Sequence, residues 1–347
     1  MKSAYLTITF ILISIVLLPS TVIAEQDAED KQTIRWPLPP SKTRFVYVKS
    51  IYGEPESKNE GFFSSLASFL FGDEAPNYFT RPHDIAVSST GLMVVTDPGA
   101  GGIHIINSNN DDYQFIQQLD GTRLISPIGV AFMGQGEILL TDSQARTIYR
   151  LSTDGEKLGQ IVDKALQRPT DIAVNPVTKH IYVVDTLGHS IHVYNQTGKK
   201  IRQLGKRGGQ AGEFNYPTHL TFNSQGELYV TDSMNFRVQI FDKQHRPKVR
   251  FGKLGDRLGE FSKPKGIALD QQDNIYIVDS HFDHLLVYDK NGRFLLPIGG
   301  HGAAPGLFNI PIGITVSRHF IYIVDAYNRR VQILKSVGQV KQQVISE

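Results

Sequence analysis

Two aspartates and one histidine that could bind a metal ion stand at equivalent places in the chain. Asp84, Asp171 and His219 each lie two residues after a proline, in the segments RPHDIAV, RPTDIAV and YPTHLTF. Carboxylate oxygens with one imidazole nitrogen form an oxygen-rich set that suits calcium or manganese better than zinc. The same side chains could instead cap their own turns. We therefore expect no cofactor, or alternatively a divalent metal such as calcium at these three residues.

Most other catalytic patterns are missing from the sequence. The chain has no cysteine, which excludes a disulfide framework, a thiolate zinc site and a cysteine nucleophile. Its 11 histidines include no HExxH pair. A Ser-His-Asp triad cannot be assembled from spacing alone. The glycine-rich segment 205–212 lacks the following helix that a phosphate-binding loop requires.

The proline-led segments belong to a repeat with three markers. Six prolines each precede an apolar triplet: Pro82, Pro127, Pro169, Pro217, Pro264 and Pro311. An aspartate that ends a β-rich run follows each of them: Asp97, Asp142, Asp185, Asp232, Asp279 and Asp325. An aliphatic residue stands six positions past each aspartate: Ile103, Ile148, Ile191, Val238, Leu285 and Val331. A period of this length indicates one small structural unit per repeat.

The sequence pattern of each repeat is typical of four short strands. In the third copy we predict strands at Asp171–Asn175, His180–Asp185, Ser190–Tyr194 and Lys200–Leu204, with turn-forming pairs between them. No segment of helical length separates the strands. The chain is therefore predicted to be all-β, a six-bladed β-propeller of four-stranded antiparallel blades.

The last blade lacks a clear fourth strand of its own. Residues 45–53 (FVYVKSIYG) resemble the fourth strands that end in Gly205, Gly252 and Gly299. An N-terminal strand there would close the ring and leave no open sheet edge. The rival is the C-terminal segment 340–345, which could pair instead. We favour the N-terminal strand.

The repeat resembles the NHL repeat family. The resemblance rests on the patterns Pro-x-x-Ile-Ala-Val, Tyr-Val-x-Asp and Asn-x-Arg-Val-Gln-Ile, the last of which is complete within residues 232–241 and 325–334. It covers residues 44 to about 335. The resemblance implies a propeller fold but no single function, because NHL propellers include lyases, receptor ectodomains and binders of RNA or protein.

One NHL-like enzyme has a metal signature that can be checked. The peptidyl-hydroxyglycine amidating lyases hold their metal with three histidines, each following the strand-one proline of a different blade. Only His83 follows its proline here, and the other five places hold Ile128, Thr170, Thr218, Lys265 and Ile312. That ligand triad is therefore absent from this sequence.

The N-terminal residues have the pattern of a secretory signal. Residues 1–24 combine a basic start, an apolar run and small residues before the acidic Glu25. An uncleaved membrane anchor is the alternative. We expect a Pro-containing tether at 25–43, the propeller at 44–340 with an insertion at 54–80, and a tail at 341–347. The protein is then periplasmic or secreted, or membrane-anchored if the leader stays.

Charge is segregated along the chain. The total is 36 Lys and Arg against 34 Asp and Glu, but residues 199–265 hold 14 basic and 6 acidic residues while 25–120 hold 7 and 14. Lys206, Arg207, Lys253 and Arg257 fall in long loops between blades, on one face of the predicted propeller. They could attract an anionic partner or simply keep a β-rich protein in solution.

The insertion at 54–80 contains the only predicted helix. Between Gly61 and Gly72, apolar residues such as Phe62 and Phe69 recur at helical spacing. This helix either packs on the propeller or offers a sticky patch to a protein or a membrane through residues 62–71.

Together these features favour a non-catalytic function. We expect a monomeric, exported propeller that acts as a binding or scaffold module and recognises a protein or other ligand through its interblade-loop face. A nucleic-acid partner is not expected, because the net charge is only +2 and an exported protein rarely meets RNA. The alternative is a metal-dependent hydrolase or lyase with a site at the channel mouth.

Overall fold

The computed structural model describes residues 33–54, 78–107, 110 and 112–338. Five of its six antiparallel blade sheets have four strands in sequence order, and the sixth combines the last three strands of the chain with two N-terminal strands. The six-bladed, all-β propeller that the repeat predicts is confirmed. The strands of the first three blades are Asp84–Val87, Leu92–Asp97, Gly102–Asn107 and Asp112–Ile116; Pro127–Met133, Glu137–Asp142, Thr147–Ser152 and Lys157–Val162; and Pro169–Val174, Ile181–Asp185, Ser190–Tyr194 and Lys200–Leu204.

The second half of the ring repeats the same plan. Its strands are Pro217–Phe222, Leu228–Asp232, Arg237–Phe241 and Pro247–Phe251; Pro264–Leu269, Ile275–Asp279, His284–Tyr288 and Phe294–Gly299; and Pro311–Ser317, Phe320–Asp325 and Arg330–Ser336. A short hairpin (Gln118–Leu119 with Thr122–Arg123) and a single 3₁₀ turn (Ser233–Asn235) complete the described elements. Strand one of the third blade begins at Pro169, two residues before the predicted start, because Pro169 pairs with Asp185 across a bulge.

The core lies between neighbouring blades. The aliphatic residues of the repeat, from Ile103 to Val331, are all fully buried. They sit on the third strands, where successive side chains point to opposite faces of the sheet, and every face is covered by the next blade. This explains why the strands are nearly continuous runs of Val, Ile, Leu and Tyr without a polar face.

The sixth blade is closed from the N-terminus. Phe45–Ile51 pairs antiparallel with Arg330–Ser336, from Phe45 opposite Ser336 to Ile51 opposite Val331. The ring of Phe45 is fully buried and meets Tyr276 of the fifth blade edge to face at 6.1 Å. The predicted closing strand is confirmed, and Arg35–Trp36 adds a short fifth strand outside it. The rival segment 340–345 lies outside the described residues.

Two other predicted features also lie outside the described residues. They are the leader at 1–24 and the helix between Gly61 and Gly72, with Phe62 and Phe69. Within the part of the chain that the structure describes, no helix is long and apolar enough to cross a membrane.

Candidate functional site

The repeat aspartates organise the loops on one face of the propeller. Asp185 shows the pattern: its carboxylate accepts hydrogen bonds from the backbone N–H of Gln167 and Arg168, just before strand one, and of Gly188, in the loop between strands two and three. Asp97 and Asp142 make the same connections. These aspartates are therefore structural, as their occurrence in all six blades predicts.

Asp84 and Asp171 connect blades across the central channel wall. One carboxyl oxygen of Asp84 accepts from the backbone N–H of Val130 in blade two at 3.0 Å. Asp171 of blade three does the same with Leu220 of blade four at 2.7 Å. Gly129 lies between the two acids, and a Cβ there would stand 2.6 Å from the Asp171 Cα. Glycine is required because the innermost strands approach this closely.

The two acids hold their protons more tightly than an exposed aspartate does. Burial raises the pKa of Asp84 to about 7. Burial also raises the pKa of Asp171, and the nearby charge of Asp84 raises it further. Two carboxyls in one low-dielectric wall cannot both ionise easily, so the pair carries less than two negative charges near neutral pH.

Two histidines face each other where the channel opens to the interblade loops. His83 of blade one and His219 of blade four lie in opposite blades of the ring, with ring centroids 6.2 Å apart and planes 11° from parallel. Neither ring nitrogen of buried His219 has a hydrogen-bond partner among the described residues, and neither does Nδ1 of His83. The sequence predicts His219 as a site residue but gives His83 no role.

Both imidazoles are neutral at physiological pH. Burial and then the charges of Lys265 and Arg168 lower the pKa of His83 to about 3. Burial and then His83 and Lys265 hold the pKa of His219 well below its ordinary value. Each ring therefore offers one N–H donor and one acceptor, and His219 uses neither within the described chain.

The predicted metal triad is brought together only in part. Asp84, Asp171 and His219 line one cavity of about 340 Å³, whose wall comes from strand one of all six blades. However, no three His, Asp or Glu side chains among the described residues are placed to hold a metal ion. One oxygen of each carboxyl is already bonded to a backbone N–H. The arrangement does not fit a resident cation, so the metal and the hydrolase or lyase that would need it stay predictions.

A ring of cations surrounds the same opening, and the sequence reasoning missed it. The residue before the strand-one proline is basic in alternate blades: Arg81 in the first, Arg168 in the third and Lys263 in the fifth. Lys265 adds a fourth positive charge one level deeper. The signal in the sequence is two Arg-Pro pairs and one Lys-Pro pair in the odd-numbered repeats.

The predicted binding residues of the outer loops lie on the same face. Lys206 pairs with Glu213 at 3.4 Å, and Lys253 pairs with Glu260 at 2.8 Å. Arg207 and Arg257 are exposed and form no ion pair with any described residue. Because each lysine sits beside a glutamate, the two arginines carry most of the free positive charge of these loops.

Apolar side chains are exposed beside these charges. Leu254 and Leu258, in the loop that also holds Lys253 and Arg257, are 61% and 67% exposed. Met234 and Tyr327, in loops between strands two and three, are half or more exposed. Exposed apolar groups that share a face with free cations mark a candidate contact surface.

Known proteins share the fold of this chain. A family model described as a 6-bladed beta-propeller (DUF5128) matches residues 222–295. Virginiamycin B lyase from Staphylococcus aureus is similar at a TM-score of 0.56 and 18% identity, covering 74% of this chain and 96% of its own. A gluconolactonase from Xanthomonas campestris is similar at a TM-score of 0.57 and 16% identity, covering 84% of this chain and 98% of its own. An auxiliary nutrient binding protein from Bacteroides thetaiotaomicron is similar at a TM-score of 0.59 and 13% identity, covering 74% of this chain and 69% of its own.

The fold is that of a six-bladed propeller. At these identities the comparisons show a shared architecture. They do not assign a reaction, because a lyase and a lactonase both share this fold.

Proposed function

We propose that this chain is an exported, non-catalytic NHL-type propeller that binds a protein partner through its interblade-loop face. Export is supported by the signal-like residues 1–24. The NHL assignment is supported by blades four and six, where the motif residues Arg237 and Arg330 bind the repeat aspartates Asp232 and Asp325 at 2.7 and 2.8 Å.

The observation that carries the proposal is the loop 252–263. It presents Leu254 and Leu258 to solvent. Next to them are Arg257, which forms no ion pair with a described residue, and Lys253, which pairs with Glu260. Burying two leucines on a partner supplies binding free energy, and the arginine adds specificity for a carboxylate. The partner we infer is a protein segment that carries both acidic and apolar side chains.

The neighbouring loop, 205–216, has an ordered backbone. Arg237 donates to the carbonyl oxygens of Gly209, Gln210 and Glu213, all within 2.9 Å, so the loop 205–216 is bonded along its length. A loop that is already ordered loses little conformational entropy when a partner binds. Arg207 is therefore presented from a fixed backbone.

Photo-crosslinking in cells tests this function. A photoreactive amino acid at Leu258 is expected to give a discrete adduct with one protein, and the same group at Val177, exposed on the opposite face, is expected to give none. The double variant Arg207→Glu/Arg257→Glu should remove the adduct, because it repels the acidic segment.

The matched control is Lys243→Glu/Lys290→Glu. These exposed lysines lie in the strand-three-to-four turns of blades four and five, on the opposite face. The control makes the same change in net charge and should keep the adduct. Equal crosslinking in both double variants, or equal crosslinking from Val177, would overturn the proposal.

A further inference from the structure

Four basic side chains gather at the channel mouth, beside repeat aspartates whose carboxylates accept hydrogen bonds from backbone N–H groups. Arg81, Arg168 and Lys263 come from alternate blades, so they stand around the opening at roughly equal intervals. Lys265 is half-buried beside them. None of the four forms an ion pair with a described residue, whereas Lys200, Lys248 and Arg293 on the outer strands and turns all do.

Lys265 is close enough to Lys263 and Arg168 to feel their charges. Burial and then the charges of Lys263 and Arg168 lower the pKa of Lys265 to about 8. Arg81 and Arg168 act on His83 in the same direction. Like charges held together in a partly desolvated mouth destabilise the empty protein, and an anion placed among them would relieve that repulsion.

Uncharged polar groups without partners lie at the same level: one hydroxyl donor, and one donor and one acceptor on a neutral imidazole. The hydroxyl of Thr218 and both ring nitrogens of His219 have no hydrogen-bond partner among the described residues. The two residues are 7% and 5% exposed, and an unsatisfied polar group at that burial is costly. A ligand oxygen at the mouth would accept from these donors.

We propose that the channel mouth is a binding site for a small, multiply charged oxyanion of the phosphate or polycarboxylate class. Arg81, Arg168 and Lys263 form its outer ring, and Lys265, Thr218 and His219 its floor. The site adjoins the protein-docking surface, because Lys263 ends the loop 252–263, but its other five residues lie outside that loop.

Two acids at the level of His219 limit how deep the anion goes. Asp84 and Asp171 bear their hydrogen-bonded carboxyls there, and their partial negative charge repels an anion. The opposed rings of His83 and His219, 6.2 Å apart, narrow the passage further. The ligand therefore stays at the mouth, in reach of all four cations.

Isothermal titration with inorganic phosphate, and separately with citrate, tests the site. At constant ionic strength near pH 7, we expect one site per chain. Lys265→Met should weaken binding by about tenfold or more, the equivalent of one lost charge-assisted hydrogen bond. Lys290→Met is the control, because this lysine lies in the same blade on the opposite face and is exposed. The stronger of the two probes identifies the class.

A second variant keeps the test decisive if Lys265→Met fails to fold. Arg81→Gln/Arg168→Gln changes only exposed side chains and should also weaken binding by about tenfold or more. Thermal unfolding of each variant without ligand checks that the fold is kept. Equal affinity in the wild type and both variants would mean an adventitious ion only and would overturn the proposal.

The affinity should fall as the pH rises through about 8, because Lys265 then loses the charge that holds the anion. The charged and titratable groups that face this lysine are Lys263, Arg168, His83 and His219, with Asp84 and Asp171 at the level of His219. The arginine keeps its charge in this range and the histidines stay neutral. The fall above pH 8 should therefore vanish in Lys265→Met.

Discussion

At the scale of single residues, the central channel gives two acids of metal-ligand type a contact with the backbone. Asp84 and Asp171 have the residue type and the position of metal ligands, yet each is bonded to the backbone N–H of the following blade. A carboxyl fits that place because it reaches across the narrow gap that Gly129 leaves. The unusual protonation of the pair follows from burial rather than from a reaction.

The protonation of Asp84 predicts a pH effect on stability. Its pKa is about 7 in the folded chain and near 4 when unfolded, so between these pH values only the folded chain keeps the proton. The free energy of unfolding must then fall as the pH rises from about 4 to 7. Asp84→Asn keeps an oxygen acceptor for Val130 but cannot titrate. We expect it to be more stable than the wild type at pH 7, by up to a few kcal/mol, and similar at pH 4.

Urea unfolding of the two proteins across this pH range measures the difference. His83 and His219 act in the opposite direction, because the unfolded chain binds protons to them below about pH 6.5 and the folded chain does not. That effect is common to both proteins and cancels. Asp154→Asn, at an exposed position, should show no such pH dependence. A flat difference between Asp84→Asn and the wild type would contradict the prediction.

At the scale of elements, the third strands decide how firmly each interblade loop is held. In blades four and six an arginine begins the strand and a glutamine stands two residues later, and both bind the repeat aspartate. In blade five the corresponding residue is His284, and the loop 252–263 is held by Asp279 and by the Tyr288 hydroxyl, which donates to the Gly259 carbonyl. The face therefore combines a tightly bonded loop with a less constrained one.

Removing Arg237 should destabilise blade four. The side chain is buried, and its loss leaves the fully buried Asp232 carboxylate without its cation and removes one donor from each of three loop carbonyls. Breaking a buried pair in this way costs about 3 kcal/mol or more. Chemical unfolding of Arg237→Ala measures this cost, and limited proteolysis should show cleavage within 205–216.

The matched control is Arg246→Ala, in the same blade. This arginine is 75% exposed and pairs with Asp242 four residues earlier, so we expect a loss under about 1 kcal/mol. If both variants lose the same stability, the loop is not held by the buried arginine as the hydrogen bonds indicate.

The elements could be predicted from the sequence because the same pattern of marker residues occurs in six copies. Proline, aspartate and aliphatic markers keep their spacing, so strand number and blade number follow from them, and the closing strand follows from the likeness of residues 45–53 to the fourth strands. The cation ring did not follow, since it needs the knowledge that Arg81, Arg168 and Lys263 converge on one axis. The missing partners of His219 depend on side-chain packing, which no spacing reveals.

At the scale of the whole molecule, the segregated charge becomes a property of a surface. The basic segment 199–265 contributes the loops that carry Arg207 and Arg257, and it ends with Lys263 and Lys265 at the channel mouth. The docking surface and the anion site therefore share one electrostatic field. An acidic partner would be steered toward this face, more weakly as salt increases.

The ring itself depends on its two ends meeting in the sixth blade, which predicts the result of a truncation. A chain that starts at residue 53 lacks Phe45–Ile51, so the backbone groups of Arg330–Ser336 lose their pairing partner. An exposed, regular sheet edge recruits other chains. We therefore expect the truncated protein to elute from size-exclusion chromatography as oligomers and to unfold at a lower temperature.

A chain that starts at residue 33 keeps the strand and should remain monomeric. A synthetic peptide of residues 44–53 should restore the monomer, because it supplies both the hydrogen bonds and the buried ring of Phe45. A truncated chain that is monomeric and unchanged in stability would show that the N-terminal strand is dispensable and that another segment closes the blade.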